Sequence, residues 1–152
     1  MNIQIISRVF ENGFDITTPT ETLSAKRSFE ETNISNSSGT HIARVGKESF
    51  FSSAYNIIIS GGGFYQFKRD KCYKMSKPTW ECKGEGRSFH LYKRGWRRFE
   101  IADECQKIAE FRRAWFDSDY EISVVNEAEL KLIICLVLAL SESEYRSSAA
   151  PA

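Results

Sequence analysis

The sequence predicts a mainly β protein: a closed antiparallel barrel of about twelve short strands around one buried C-terminal hydrophobic helix. Apolar and polar residues alternate over short segments, and turn residues separate these segments at the spacing typical of β-sandwiches and barrels. One segment, residues 127–140, breaks the alternation with a continuous apolar run. A length of 152 residues with 41% hydrophobic and 27% charged residues fits a single globular domain and excludes wholesale disorder.

Twelve segments are predicted to form strands, each bounded by glycine, proline, asparagine or a polar cluster. They cover residues 3–10, 14–17, 24–29, 41–45, 54–59, 64–68, 72–75, 79–83, 88–93, 97–101, 107–115 and 120–125. The dipeptide Asn12-Gly13 is a strong hairpin signal after the first of them. Residues 31–39, rich in serine and asparagine, are expected to form a polar loop. We therefore expect one domain over residues 1–145 and a flexible tail over residues 146–152.

The apolar segment near the C-terminus is predicted to be a helix that is buried on every side. Asn126 and Glu129 have the spacing of an N-cap residue and its capping-box partner. Residues 132–140 contain no polar face, and a helix that is apolar all round is buried all round. A central β-strand is the alternative, but the cap and the leucine content favour the helix. A barrel of twelve strands has a bore wider than side chains alone can fill, and this helix would fill it.

The order of elements in the second half of the chain is distinctive. A strand at residues 99–101 is followed by residues 107–113, a Lys-Ile-Ala sequence that continues into hydrophobic and basic residues. The strand at 120–124 and the capped helix then follow. This order resembles the tubby C-terminal-like superfamily, which includes tubby proteins, phospholipid scramblases and the plant LURP-one-related proteins. The closest similarity is to the LURP-one-related and uncharacterised fungal tubby-like branch, over about residues 55–140.

The resemblance implies a barrel with a central helix that binds phosphoinositide-type lipid headgroups without catalysis. It does not imply a transcriptional role, because the sequence lacks the C-terminal signature of tubby proteins. Lipid flipping is not implied either, because the cysteine-rich and membrane-spanning segments of scramblases are absent from the sequence.

Basic residues are concentrated in the middle of the sequence. Residues 68–98 contain eleven Lys and Arg against three Asp and Glu, although the whole chain has a net charge of only +1. Aromatic residues are interleaved with them, which is typical of surfaces that bind anionic headgroups or nucleic-acid phosphates. The alternative is a solvated outer barrel face that needs no ligand. The candidate headgroup contacts are Lys68, Arg69, Lys71, Lys93, Arg94, Trp96, Arg97 and Arg98.

The residues with catalytic or metal-binding potential form no recognised arrangement. His41 and His90 form no recognised catalytic arrangement with a serine, a cysteine or a paired carboxylate, and the four cysteines form no C-x-x-C motif. Residues 61–63 are three glycines, but they lack the rest of a phosphate-loop motif. We therefore predict no enzymatic activity, no cofactor and no metal. The thiols are expected to be free, with a Cys72–Cys82 disulfide as the alternative.

The N-terminal residues show no secretory signal, and the longest apolar run is half the length of a membrane span. We therefore expect a cytoplasmic protein, with peripheral membrane and nuclear locations left open. The predicted partner is an anionic membrane lipid, and a nucleic acid is not favoured. The alternative function is that of a protein-interaction or self-associating domain without lipid binding. The sequence does not predict an oligomeric state.

Overall fold

Twelve antiparallel strands close into a barrel around one helix in the computed structural model, which describes residues 1–8, 12–49, 52–69, 79–104, 106–114 and 119–149 (145–149 as backbone only). The strands are β1 (Asn2–Arg8), β2 (Gly13–Thr17), β3 (Thr22–Arg27), β4 (Glu31–Asn36), β5 (His41–Lys47), β6 (Tyr55–Ile59), β7 (Gly63–Arg69), β8 (Thr79–Gly84), β9 (Arg87–Lys93), β10 (Arg98–Asp103), β11 (Gln106–Arg113) and β12 (Tyr120–Val124). A 3-10 turn, Glu127–Glu129, then leads into α1 (Leu130–Ala149).

Each strand pairs with its neighbours in sequence, and β12 pairs with β1 to close the barrel. The closing register places Ile3 opposite Ile122 and Ile5 opposite Tyr120. All four side chains are buried, so the last strand pair carries the same apolar inner face as the rest of the barrel. The predicted fold class is confirmed.

Helix α1 fills the bore of the barrel. Every residue from Leu132 to Leu140 is at most 3% exposed, because barrel strands surround this part of the helix on all sides. Asn126 caps the preceding 3-10 turn as its Oδ1 accepts a hydrogen bond from the Ala128 N–H at 3.2 Å. The α-helical geometry begins three residues later than predicted and extends to Ala149. The described helices include none that is long and apolar enough to cross a membrane.

The gap between the helix and the barrel wall is not the same on all sides. The helix backbone approaches β5 and β6 most closely, and the inward side chain of Ala43 on β5 is small. Large aromatic rings fill the wider gap on the opposite side. There, the Phe99 and Phe111 rings stack with centroids 4.8 Å apart, and Tyr120 meets Phe111 edge-on at 5.9 Å. These rings form the inner surface of β10, β11 and β12.

One expected loop is a strand. Residues 31–36 form β4 instead of a polar loop, since Thr32 and Ile34 point into the barrel and are buried. A barrel strand needs only its inner face to be apolar, so two inward side chains among polar neighbours are sufficient. The strand predicted at residues 72–75 lies outside the described residues. The tail predicted at 146–152 begins within the backbone of α1, and its flexibility stays a prediction.

Two of the cysteines lie in the interior. Cys82 on β8 and Cys135 on α1 are free and buried, which excludes the Cys72–Cys82 disulfide. Burial raises the pKa of each of these thiols to about 12. The other two cysteines lie outside the described residues.

Candidate functional site: a basic rim and an arginine groove

Cationic side chains collect at one end of the barrel, the end at which α1 leaves the bore. We define the basic rim as the last two residues of each strand at this end together with the described residues that connect the strands. These residues include twelve cationic and five carboxylate side chains. The cations are Arg8, Lys26, Arg27, Lys47, Lys68, Arg69, Lys93, Arg94, Arg97, Arg98, Arg112 and Arg113, and the carboxylates are Glu30, Glu31, Glu48, Asp119 and Glu121.

The opposite end, defined in the same way and called the acidic rim, has the reverse balance. Three cations face four carboxylates among its described residues, and two further carboxylates lie in the 3-10 turn that leads into α1. The cations are Lys83, Arg87 and Lys107, the four carboxylates are Glu21, Glu85, Asp103 and Glu104, and the two in the 3-10 turn are Glu127 and Glu129. The basic segment seen in the sequence therefore corresponds to a division of charge along the barrel axis.

Part of the basic rim holds the helix. Glu144 of α1 forms ion pairs with Arg113 and with Lys93, the latter at 3.7 Å. Arg27 contacts Glu142 at 3.1 Å. The candidate headgroup contact Lys93 therefore already has an anionic partner within the barrel.

The turn between β9 and β10 ties down two more of the candidate residues. Arg94 forms an ion pair with Glu100 at 3.0 Å and lies 4.8 Å above the centre of the Tyr92 ring. The Arg97 guanidinium donates a hydrogen bond to the backbone oxygen of Arg113 at 3.0 Å. Trp96 at the tip of the same turn is 64% exposed. Two arginines of this turn are thus held in place while the indole faces solvent.

Three of the remaining candidate residues have no ion pair with any described residue. Lys68 and Arg69 are exposed at the end of β7, and Arg98 is exposed at the start of β10. Lys71 lies outside the described residues. Since β7 and β10 are separated by two strands at about 4.8 Å spacing, these side chains belong to one rim but to two separate parts of it.

Arg112 was not among the candidates predicted from the sequence, but it is the direct cross-strand neighbour of Arg98. The register of β10 and β11 places Arg98 opposite Arg112 on the outer face, and both are exposed. Like charges directly opposite each other on a sheet are destabilising. Of the nearby carboxylates, Glu100 pairs with Arg94 and Glu110 pairs with Lys107. Glu121 lies opposite Arg112 in the register of β11 and β12 but forms no ion pair with it. Neither Arg98 nor Arg112 forms an ion pair with the described part of the chain.

These arginines border a depression in the outer surface, which we call the arginine groove. It consists of two adjoining hollows of about 420 and 370 Å³ along β10, β11, β12 and β1. Arg112, Gln4 and Glu121 line both hollows, Arg97 lines the first, and Arg98 lines the second. The groove offers guanidinium and amide donors to an anion, and the carboxylates of Asp119 in the first hollow, Glu110 in the second and Glu121 in both restrict which part of it an anion can enter.

Sequence reasoning missed Arg112 because it lies fourteen positions after Arg98, beyond the basic segment. The signal was present in the predicted β-hairpin of strands 97–101 and 107–115. Pairing the inward-facing Phe99 with Phe111 places Arg98, which precedes Phe99, opposite Arg112, which follows Phe111.

A metal site needs several His, Cys, Asp or Glu side chains that lie close together. Among the described residues, no three of these side chains lie close enough to hold a metal ion. His41 Nδ1 and Ser60 Oγ are 3.1 Å apart at the acidic rim, but both residues are exposed and no described carboxylate hydrogen-bonds to the imidazole to orient it, as a catalytic triad requires.

Comparisons with known proteins support the fold. No protein-family model and no curated protein matches the sequence. Among solved structures, the crystal structure of the Arabidopsis thaliana protein AT5G01750 is similar over 91% of this chain and 90% of its own, with a TM-score of 0.60 and 13% sequence identity. At this identity the similarity concerns the fold alone. The chain therefore shares its barrel fold with this plant protein.

Proposed function

We propose that this protein is a non-enzymatic binding module that recognises anionic, phosphoinositide-type lipid headgroups through its basic rim. The observation that carries the proposal is the Arg98–Arg112 pair: two opposed guanidinium groups without an anionic partner among the described residues, at the border of a groove. A bound phosphate would convert their repulsion into two attractions. Guanidinium groups suit this role because their planar donors match phosphate oxygens in bidentate geometry.

The rest of the rim supports the same ligand class. Lys68 and Arg69 add charge that has no described partner, and a cation close to an anionic membrane surface contributes about 1 kcal/mol. The cations that hold Glu144 and Glu142 contribute less, since the helix already neutralises them in part.

We also infer membership of the tubby C-terminal-like superfamily. The supporting features are the strand and helix order of the second half of the chain, the barrel with a central helix, and the similarity of fold to the Arabidopsis protein. That similarity concerns the fold alone, so the lipid proposal depends on the residues of this chain.

The variant Arg98→Glu tests the proposal without endangering the fold. It replaces a like-charge pair with an opposite-charge pair across β10 and β11, so the melting temperature is expected to stay equal or rise. Binding to vesicles of phosphatidylcholine with phosphatidylinositol bisphosphate is expected to fall roughly thirtyfold, because a charge change of two units at about 1 kcal/mol each opposes binding. Cosedimentation with the vesicles measures the affinity.

The control is Lys131→Glu, which makes the same charge change on an exposed residue at the opposite end of the barrel. Its binding is expected to match the wild type. Wild-type affinity should also fall as salt is added, because exposed charges are screened. Equal binding by Arg98→Glu and the wild type would contradict the proposal. Concentration-dependent self-association without vesicle binding would favour the alternative function, an interaction domain.

A further inference from the structure

Two large apolar side chains project from the basic rim. Phe29 in the β3–β4 turn is 83% exposed, and Trp96 in the β9–β10 turn is 64% exposed. Neither turn needs an aromatic residue for its geometry. The Ser28 N–H donates to the Glu31 oxygen at 2.8 Å, and the Arg94 N–H donates to the Arg98 oxygen at 2.9 Å, so backbone groups close both turns.

The two aromatic residues lie on opposite sides of the rim. In the ring of twelve strands, the β3–β4 and β9–β10 turns are separated by six strands in either direction. Twelve strands at about 4.8 Å spacing enclose a rim roughly 20 Å across. A flat surface that touches both residues must therefore lie across the open end of the barrel, not along its side.

The sequences of the connections show the same division between the two ends. Each of the six segments that join strands at the basic rim contains at least one aromatic residue, whereas none of the six segments that follow strands at the acidic rim contains any. Aromatic residues beside cations are typical of surfaces that enter the headgroup region of a bilayer, because the rings favour the interface and the cations attract anionic lipid.

We propose that the barrel docks end-on onto an anionic bilayer, with Phe29 and Trp96 entering the interfacial region from opposite sides of the basic rim. This inference rests on the proposed function of the arginine groove and adds the orientation of the protein and the need for a bilayer. The groove alone would accept a headgroup with the barrel lying on its side. In that orientation Trp96 remains near the membrane and Phe29 lies on the far side of the barrel.

Three single variants separate these orientations: Phe29→Ser, Trp96→Ser and, as a control, Phe64→Ser. Phe64 is 49% exposed but lies at the acidic rim, at the start of β7. With vesicles of phosphatidylcholine, phosphatidylserine and phosphatidylinositol bisphosphate, we expect about a fivefold to tenfold loss of affinity for each rim variant, a larger loss for the double variant, and none for Phe64→Ser. Thermal melting of each variant checks that the fold is retained.

Soluble inositol hexakisphosphate separates this inference from the proposed function. Arg98→Glu is expected to weaken binding to both the vesicles and the soluble phosphate, whereas Phe29→Ser and Trp96→Ser are expected to weaken vesicle binding only. If Arg98→Glu has its expected effect and Phe29→Ser has none, the groove binds headgroups but end-on docking is wrong. If the wild type binds neither probe, both proposals are wrong.

Fluorescence of Trp96 provides a second, independent readout. In a Trp115→Phe background the remaining indole, Trp80, is 3% exposed inside the barrel, so quenching by brominated lipid reports on Trp96. We expect quenching with anionic vesicles and a blue shift of the emission. Binding without either change would overturn the insertion of Trp96. Loss of self-association in Phe29→Ser, with vesicle binding intact, would assign the rim to contacts between copies of the chain and also overturn the proposal.

Discussion

The two rims lie at opposite ends of the same strands, but different requirements determine which residues their turns contain. Every described residue with a positive φ lies at the acidic rim: Gly39, Gly61, Gly63, Glu85 and Gly86. There the turns are tight and rich in glycine, because glycine adopts these backbone angles without strain. The described turns of the basic rim contain no such residue and instead carry arginine, lysine and exposed aromatic side chains.

Backbone geometry therefore accounts for the two rims to different extents. The backbone geometry of the turns explains the glycines of the acidic rim. It does not explain the opposed arginines or the exposed Phe29 and Trp96 at the basic rim, where polar turn residues would close the same hydrogen bonds. The proposed binding surface consists of residues whose identity the turn geometry does not explain.

The largest expected effect lies between the rims, in the core. Leu136, at 0% exposure on α1, is expected to lose about 2–5 kcal/mol of unfolding free energy when changed to alanine, because the barrel wall cannot collapse onto the cavity. Trp96→Ala is expected to change stability by at most about 0.5 kcal/mol. Urea denaturation measures both. A loss for Trp96→Ala as large as that for Leu136→Ala would make the basic rim structural and remove the distinction between the rims.

Much of the fold could be predicted from the sequence because barrel and helix have different periodicities. Alternation located most of the strands, and the run at 132–140 identified the central helix. Strand β4 was not predicted because most of its residues are polar, and only Thr32 and Ile34 face inward. The end of α1 was set too early, because Ser141 to Glu144 look like a polar terminus although they lie in the mouth of the barrel.

The candidate site could be predicted only in part. Charge along the sequence indicated a basic surface, but each residue's surroundings depend on strand register. Lys93 points inward to Glu144, and Arg112 joins Arg98 from a distant position. The exposed Phe29 lies outside the basic segment altogether, and only the closure of the barrel brings its turn to the same rim.

A second expected effect concerns pH and the buried thiols, which lie far from both rims. The pKa of Cys82 and of Cys135 is raised by burial to about 12, so the folded chain holds both protons more tightly than the unfolded chain. Stability is therefore full below the unfolded pKa and falls as the pH rises from about 9 towards 12. Each thiol is expected to contribute a loss of about 1.4 kcal/mol at about pH 10.

Denaturation curves of the wild type and of the Cys82→Ala, Cys135→Ala double variant at neutral and alkaline pH measure this loss. The double variant is expected to be less stable at neutral pH but to show a shallower decline, which isolates the thiols from lysines and tyrosines that titrate in the same range. An equally steep decline in both proteins would show that these thiols are not buried in the folded state.

The smallest expected effect compares the ion pairs that hold the two ends of the central helix. Glu144 pairs with Lys93 and Arg113 at the basic rim, and Glu129 pairs with Arg87 at the acidic rim. Because all these side chains are partly solvated, Glu144→Gln and Glu129→Gln are each expected to lower the unfolding free energy by only about 0.5–1 kcal/mol. That corresponds to a fall in melting temperature of about 1–4 °C for a domain of this size.

The two variants should differ in vesicle binding, and this difference tests the division between the rims most directly. Glu144→Gln releases Lys93 and Arg113 and adds one positive charge to the basic rim, so affinity for anionic vesicles is expected to rise about fivefold, the equivalent of about 1 kcal/mol. Glu129→Gln adds the same charge at the far end of the barrel, beyond the range of unscreened attraction at moderate salt, and should leave affinity unchanged. Equal gains in both variants would show that net charge, not the basic rim, determines binding.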